Sequence, residues 1–503
     1  LPHWNLHQFY AQDDWRIRRD LTLSFGVRYN YETSADTQYG QKSQFDSNGT
    51  DPLTGLKGAI THPKGGLYSP ALGNFTPRLG LAWNFRPQFV FRGSFGFFTQ
   101  DLVQQLGQDE YMAQAVVQQP SGNPLPAFYL SQGPGPIVYN SRTDGTAPFV
   151  GTNYSTRNIT FFDSHLRNPY SMTWSGGFQY EFRPNYLAEI TYQGSAAVHL
   201  TGSVNINNLP LSIYKSTDTT LLNNVFANSQ SYLPYPQFGA INYLSNPGHS
   251  TYHSLIGRMQ HRFSSGFSAN FLFTYSKNLA GGATSGYNYY DWRQTKAIVG
   301  SDQKFQWVNQ INYDLPFGKG RRFLNHNSFL DQVIGGWTVL TIQSIRSGLP
   351  VTFSSSGSPN KYLPGEGGLN IVPGQKINVD NYSLGPNTFP QSAQNPFYNI
   401  GAFAYPASFT QGNAGSGIAR TGWMWWPQYS ITKTWAYREK YKLSVRMDAN
   451  NLFPQTVWLS TANTVVNLTS PQNFGKFPAT TGYSFSNFYG TNGTLQGMLR
   501  LAF

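Results

Sequence analysis

Residues 21–32 read LTLSFGVRYNYE, in which Leu21, Leu23, Phe25, Val27, Tyr29 and Tyr31 alternate strictly with Thr22, Ser24, Gly26, Arg28, Asn30 and Glu32. Successive side chains of an extended strand point to opposite faces, so the segment offers one apolar and one polar face along its whole length. Strands of soluble sheets usually end after about five or six residues. A two-faced strand of about ten residues is what a lipid bilayer demands of a β-barrel. The last residues, GTLQGMLRLAF at 493–503, repeat the pattern, with Leu495, Gly497, Leu499, Leu501 and Phe503 against Gln496, Met498, Arg500 and Ala502.

The same alternation recurs along the chain. It is carried by Leu79 to Phe85, Phe89 to Phe97, Met172 to Phe182, Tyr186 to Tyr192, Leu255 to Phe263, Phe267 to Tyr275, Phe305 to Tyr313 and Tyr441 to Ala449. Segments around Asn5 to Ile17, Trp337 and Tyr429 show it in blurred form, giving about thirteen strands in all. Tight connections at 18–20, 86–88, 183–185, 264–266 and 438–440 alternate with loops near 34–74, 101–168, 196–250, 279–302, 349–422 and 454–492. A basic connection from Pro316 to Ile334 is the one longer turn on the short side. Short turns on one side and long loops on the other are the asymmetry of outer-membrane barrels. The fold class expected is therefore all-β, a transmembrane antiparallel β-barrel, with the last strand descending to a periplasmic C-terminus. An odd strand count leaves two open edges, untenable in lipid, so the chain is expected to be part of a larger barrel of about 22 strands.

Composition narrows the class. No run approaches twenty apolar residues, which excludes a helical membrane protein. The mean hydropathy of −0.41 fits a barrel, half of whose strand residues are polar. Aromatic residues make up 16%, enough to furnish girdles at two membrane interfaces. The net charge of +12 comes without clustered Lys and Arg, so no nucleic-acid partner is expected. A β-propeller would need strands of half this length and regular repeats of about 40–50 residues.

No nucleophile elbow, zinc-protease helix or phosphate loop occurs, so no catalytic residue, cofactor or metal is expected. Asp46 to Asp51 resembles half of a calcium loop without its closing Glu and is read as an Asx-type turn. Arg78, Arg92, Glu181, Glu189, Arg258, Arg446, Asp448 and Arg500 take the polar parity, and so are expected to line the lumen, with Lys442 beside them. They can pair along the wall, hold a plug or line a substrate path. The aromatic clusters Tyr287, Tyr289, Tyr290 and Trp292, and Trp423, Trp425 and Trp426, are candidates for ligand contacts in external loops, against the alternative of an outer girdle.

The stretches FYAQDDWRIRRDLTLSFGVRYNYE (9–32), NFTPRLGLAWNF (74–85), NPYSMTWSGGFQYEF (168–182), YHSLIGRMQHRFSSGFSANFLFTYSKNL (252–279), DLPFGKGRRF (314–323), GGWTVLTIQSIRSGLPVT (335–352) and YSITKTWAYREKYKLSVRMDANNLF (429–453) resemble TonB-dependent outer-membrane receptors. The resemblance is to the Oar-like group, which carries a carboxypeptidase-regulatory-like domain. It implies that residues 1–503 are the C-terminal part of the receptor barrel, with the plug and the regulatory-like domain absent from this chain. It also implies uptake of an external ligand (an iron chelate, glycan or peptide) in partnership with outer-membrane lipid, a plug domain and a TonB-type energy-transducing complex. In such barrels the terminal aromatic, here Phe503, sits where the assembly machinery reads the last strand. The alternative function is a structural or adhesive protein whose barrel anchors binding loops.

Overall fold

A computed structural model describes residues 2–37, 44–51, 54–61, 66–102, 159–282, 295–318, 320–324, 329–378, 398–437, 441–450, 465–469 and 494–503. Thirteen strands follow one another in an antiparallel meander: β1 (Leu6–Arg18), β2 (Leu21–Glu32), β3 (Phe75–Arg86), β4 (Phe89–Thr99), β5 (Tyr170–Arg183), β6 (Tyr186–Asn205), β7 (Ile241–Ser264), β8 (Phe267–Gly281), β9 (Phe305–Asp314), β10 (Trp337–Arg346), β11 (Met424–Tyr437), β12 (Tyr441–Asn450) and β13 (Thr494–Ala502). Each pairs with its neighbours in sequence. Two short strands, Ile159–Phe162 and Ala297–Ile298, join β7 and β8 and bring the sheet to fifteen strands. Among the described residues β1 and β13 each have one neighbour and do not pair with each other.

Four hairpins carry a register shift immediately beside their short turn: Arg16/Arg18, Trp83/Arg86, Glu181/Arg183 and His261/Ser264. A bulge there adds twist and lets a tight turn close a long ladder. The turn residues suit the geometry. Ser265 and Gly266 have φ of 53° and 80°, the two positive values of a type I′ hairpin.

The sheet has no core of the usual kind. Its apolar face carries Phe178, Ile190, Leu255, Met259, Trp307, Met447 and Leu499, all exposed. An apolar surface of this extent exceeds what a soluble monomer shows. Within the thirteen strands, the buried hydrophobic side chains among the described residues are Ile241, Ala269, Met424 and Ala449. The other face is small and polar, as where Ser94 and Ser175 hydroxyls meet at 2.7 Å.

Aromatic rings follow one another along the short-turn rim. Trp83, Phe85, Phe89, Tyr180, Phe182, Tyr186, His261, Phe267 and Tyr313 lie in successive ring contacts of 4.2 to 6.2 Å, crossing from β3 to β9. At the other rim Phe273, Tyr275, Phe305 and Trp423 make a second group. Along β8, Phe267 of the first and Tyr275 of the second are eight residue steps apart, roughly 26 Å at about 3.3 Å per residue.

The buried core sits in the long loops instead. One cluster joins Val351, Phe353, Leu369, Tyr398, Phe403 and Val466. A second joins Leu67, Tyr68, Leu102, Phe162 and Leu166, and a third Phe45, Ile60, Phe161, Phe238 and Ile241. The fourth packs the helix Thr219–Ala227 and Leu209 against Leu363 of a distant loop.

Two sequence expectations are corrected. The loop expected at 196–250 is strand as far as Asn205 and again from Ile241. In β6 the alternation continues, Val198, Leu200 and Val204 against His199, Thr201 and Ser203; in β7 small and polar residues occupy both faces from Ser245 to Ser250, and Pro247 and Gly248 imitate a turn. The ladder absorbs them at the shifts around Leu200, where a Cβ on Gly248 would lie 2.7 Å from that of Leu200. The loop expected from 279 likewise begins only after Gly281.

Candidate functional site: a polar wall beneath an assembly of loops

The register places all eight charged residues singled out from the sequence on one face. Arg78 stands opposite Gly96 and Arg92 opposite Ala82. Glu189 faces Gln179 and Arg258, and Glu181 faces Leu187. Arg446, Asp448 and Arg500 face Met498, Gln496 and Ser444. Alternation explains this: period two carries each onto the side opposite the exposed aromatic and aliphatic residues.

They do not pair as a continuous ion-pair lattice. Among the described residues the one salt bridge within the set is Arg446 Nε to Asp448 Oδ1, at 2.8 Å. Glu189 accepts instead from the Thr191 hydroxyl at 3.0 Å, and Arg258 Nε donates to Asn270 Oδ1 at 2.9 Å. The Arg78 guanidinium lies 4.6 Å from the Phe98 ring centroid. Asn185 N–H donates to Glu181 Oε1 at 3.4 Å beside its short turn. Charges held by neutral partners keep their field over the wall, which suits a charged or strongly polar occupant.

The tryptophan triplet does not converge. Trp423 is exposed and stacks on Phe305 at 6.0 Å. Trp425 belongs to the apolar face, its indole N–H donating to Gln343 Oε1 at 2.7 Å. Trp426 has the opposite parity and lies 5.4 Å from the Arg346 guanidinium carbon. Tyr287, Tyr289, Tyr290 and Trp292 lie outside the described residues. Phe503 is almost fully exposed at the end of β13. Asp46 Oδ1 accepts from Asn48 N–H at 2.9 Å, the Asx-type turn expected, within a strand at Gln44–Thr50. Among the described residues no three His, Asp or Glu side chains gather as a metal site.

Sequence reasoning missed the residues that hold the loops together. Asp302, with its side chain 1% exposed, accepts from Asn278 N–H at 2.7 Å and from the Arg420 guanidinium. Arg420 Nη1 also donates to the carbonyls of Asp302 and Gly348, at 3.0 and 3.1 Å. Glu32 at the top of β2 accepts from Leu102 N–H at 2.9 Å and Asn168 Nδ2 at 2.6 Å, while Asn74 donates to Asn168 at 2.9 Å. The amide of Asn207 reaches the carbonyls of Tyr235, Phe238 and Gly239. Asp302, Glu32, Asn168 and Asn207 are thus satisfied by groups well removed in sequence, which no local pattern reveals.

Lys433 was also missed. It takes the apolar parity on β11, opposite Trp337, yet is 2% exposed. Its ammonium donates to the carbonyls of Val333 (3.3 Å) and Gly335, between the rings of Trp337 and Trp435, 5.5 and 5.0 Å away.

Burial pushes the Glu366 carboxyl above the ordinary carboxylate range, and its acceptance of Leu363 N–H at 3.1 Å offsets this only in part. A group whose folded pKa is raised stabilises fully below its unfolded pKa and loses that contribution as pH rises through the folded value. Amide exchange around Leu363 and Leu369 should therefore speed up, beyond the intrinsic rate change, as pH rises above the ordinary carboxylate range, and Glu366→Gln should remove that excess. An excess unchanged in Glu366→Gln would assign it elsewhere.

No curated protein sequence matches the chain. Among solved structures, it is similar to the FrpB iron transporter of Neisseria meningitidis, with 11% identity and a TM-score of 0.39 over 90% of this chain and 42% of that one. The siderophore receptor PirA of Pseudomonas aeruginosa gives 10% and 0.38 over 90% and 46%. The ferripyoverdine receptor of the outer membrane of Pseudomonas aeruginosa gives 10% and 0.37 over 90% and 35%. The chain thus spans less than half the length of each. The family model for the outer membrane beta barrel domain matches residues 2–486, nearly the whole of a chain whose sheet is apolar and exposed on one face and polar on the other. The chain belongs to the outer membrane beta-barrel domain family.

Proposed function

We propose that this chain is the C-terminal wall and loop assembly of an Oar-like TonB-dependent receptor that takes up an external ligand. The observation that carries the reading is the joining of long loops from successive hairpins into packed clusters at one rim of a wall with a polar face. In this arrangement Arg78, Arg92, Glu181, Glu189, Arg258, Arg446, Asp448 and Arg500 line the lumen against a plug domain or the passing ligand. The loops and the Trp426 end of β11 meet the ligand outside. The short-turn rim and Phe503 face the periplasm, where β13 pairs with a strand of the intact barrel and Phe503 marks the last strand for assembly. A plug and a TonB-type complex, both beyond this chain, supply the gating and its energy. The ligand is an iron chelate, a glycan or a peptide.

The test is uptake in intact cells carrying the full receptor, from a panel of labelled ferric chelates, oligosaccharides and peptides. Uptake of one class should fall to the deletion-strain level when the proton-motive force is collapsed, while surface binding persists. Surface binding with no energy-dependent uptake of any class would replace the transporter by an anchor for adhesive loops.

A further inference from the structure

The connection between β9 and β10 is the longest on the short-turn side, and it ends in a helix, Phe329–Ile334. That helix rests on the apolar outside of the wall. The Trp435 indole donates to the Gln332 carbonyl at 3.0 Å and the Trp337 indole to that of Val333 at 2.9 Å. Lys433 binds the Val333 and Gly335 carbonyls beside them. The last carbonyls of a helix lack partners within it, and each left bare in hydrocarbon would cost several kcal/mol by itself. Two indoles and a cation satisfy those of Gln332 and Val333 here, and the cation, which also takes the Gly335 carbonyl just past the helix, complements the negative end of the helix dipole. Gly336, at φ 71°, turns the chain from the helix into β10.

The opposite side of the helix is apolar and uncovered. Phe329 is 83% and Val333 52% exposed, four residues apart and so on one helical face. Phe323 and Leu324, earlier in the connection, are exposed as well. Arg322 is exposed beside them, its guanidinium carbon 5.4 Å from the Phe323 ring, while the neighbouring Arg321 is engaged by Asp314 at 3.1 Å. This surface continues the apolar face of the strands through Trp337. A carbonyl-capped docking site, an apolar outer side and an exposed arginine at its margin form the pattern of an interfacial membrane segment.

We propose that this connection is a membrane-surface anchor. Resting on the outer-membrane orientation above, it seats Phe329 and Val333 in the acyl–headgroup boundary of the periplasmic leaflet. Arg322 meets the phosphate of an anionic glycerophospholipid there. Lys433 is the positioning residue: it fixes the helix to the wall rather than touching lipid.

The experiment uses the intact receptor in bilayers containing phosphatidylglycerol, spin-labelled at Phe329→Cys. Leu443→Cys, on the apolar strand face, serves as the lipid reference, and Thr217→Cys, in an exposed loop, as the water reference. The label at 329 should show an oxygen-to-nickel-chelate accessibility ratio close to that at 443 and severalfold above that at 217. A water-like ratio at 329 with a lipid-like one at 443 overturns the anchor alone. A water-like ratio at both overturns the membrane reading and the anchor with it. In native mass spectrometry, Arg322→Gln should lower the phosphatidylglycerol-bound fraction about fivefold, the loss of one basic contact near a membrane surface. An unchanged fraction, or retention of lipid A in place of phosphatidylglycerol, overturns the headgroup assignment.

Discussion

Asp302→Ala is expected to release the loop assembly while leaving the wall folded. The carboxylate is buried, satisfies Asn278 N–H and neutralises Arg420, whose guanidinium also binds two carbonyls. Removing one partner of a buried pair strands the other charge, at a cost of about 3–5 kcal/mol. Arg420 is 25% exposed and can recover part of that from water, so the lower end applies. The loss falls on residues 347–422, because Arg420 pairs with Pro350 and its carbonyl accepts from Tyr398 in the largest loop cluster. Amide exchange at Val351, Phe353 and Phe403 should accelerate by two orders of magnitude or more, since each 1.4 kcal/mol is about a factor of ten. Asn278, whose amide loses its acceptor, should exchange faster too, while exchange in β9 and in β8 from Phe267 to Tyr275 should hold. Unchanged exchange in the loop would show that the cluster stands without the pair.

Phe271→Arg should impair membrane insertion, whereas Thr274→Arg should be tolerated. Phe271 lies midway along β8 on the apolar face, between Met259 and Asn309. An arginine near the midplane on the lipid side costs about 2–4 kcal/mol, and the lost phenylalanine adds to it. Thr274, three residues on, has the opposite parity and lies between Ile256 and Gln306. The folded fraction in outer-membrane preparations, read as the heat-modifiable band on a gel, should fall for the first variant and hold for the second. Equal loss for both would mean that the two faces do not meet different solvents.

Legibility followed the solvent. Where β2, β4 and β8 separate lipid from a polar interior, every second side chain reports the boundary, and strands and faces can be read from residue types alone. The upper half of β7 leaves that boundary; with small and polar residues on both sides, Ser245, opposite Gly202 of β6, reads like an ordinary loop residue. Lys433 broke the pattern for another reason, since its partners are carbonyls of a helix about a hundred residues earlier. The loop hubs were illegible because Glu32 meets Asn168, and Asp302 meets Arg420, only after the sheet has set their hairpins side by side.

The unequal strands have a mechanical consequence. A bilayer crossing needs about ten residues, but β6 and β7 run for 20 and 24. The surplus is a paired ladder, shifted in register twice around Leu200, rising from the wall into the clusters around Phe161 and Ile241. A hinge would let a pull on the outer loops dissipate before reaching the wall. A paired ladder loaded along its length resists as shear shared across many bonds. A load on those loops is thus delivered to the wall at Tyr192 and Leu255, far below the point where it is applied.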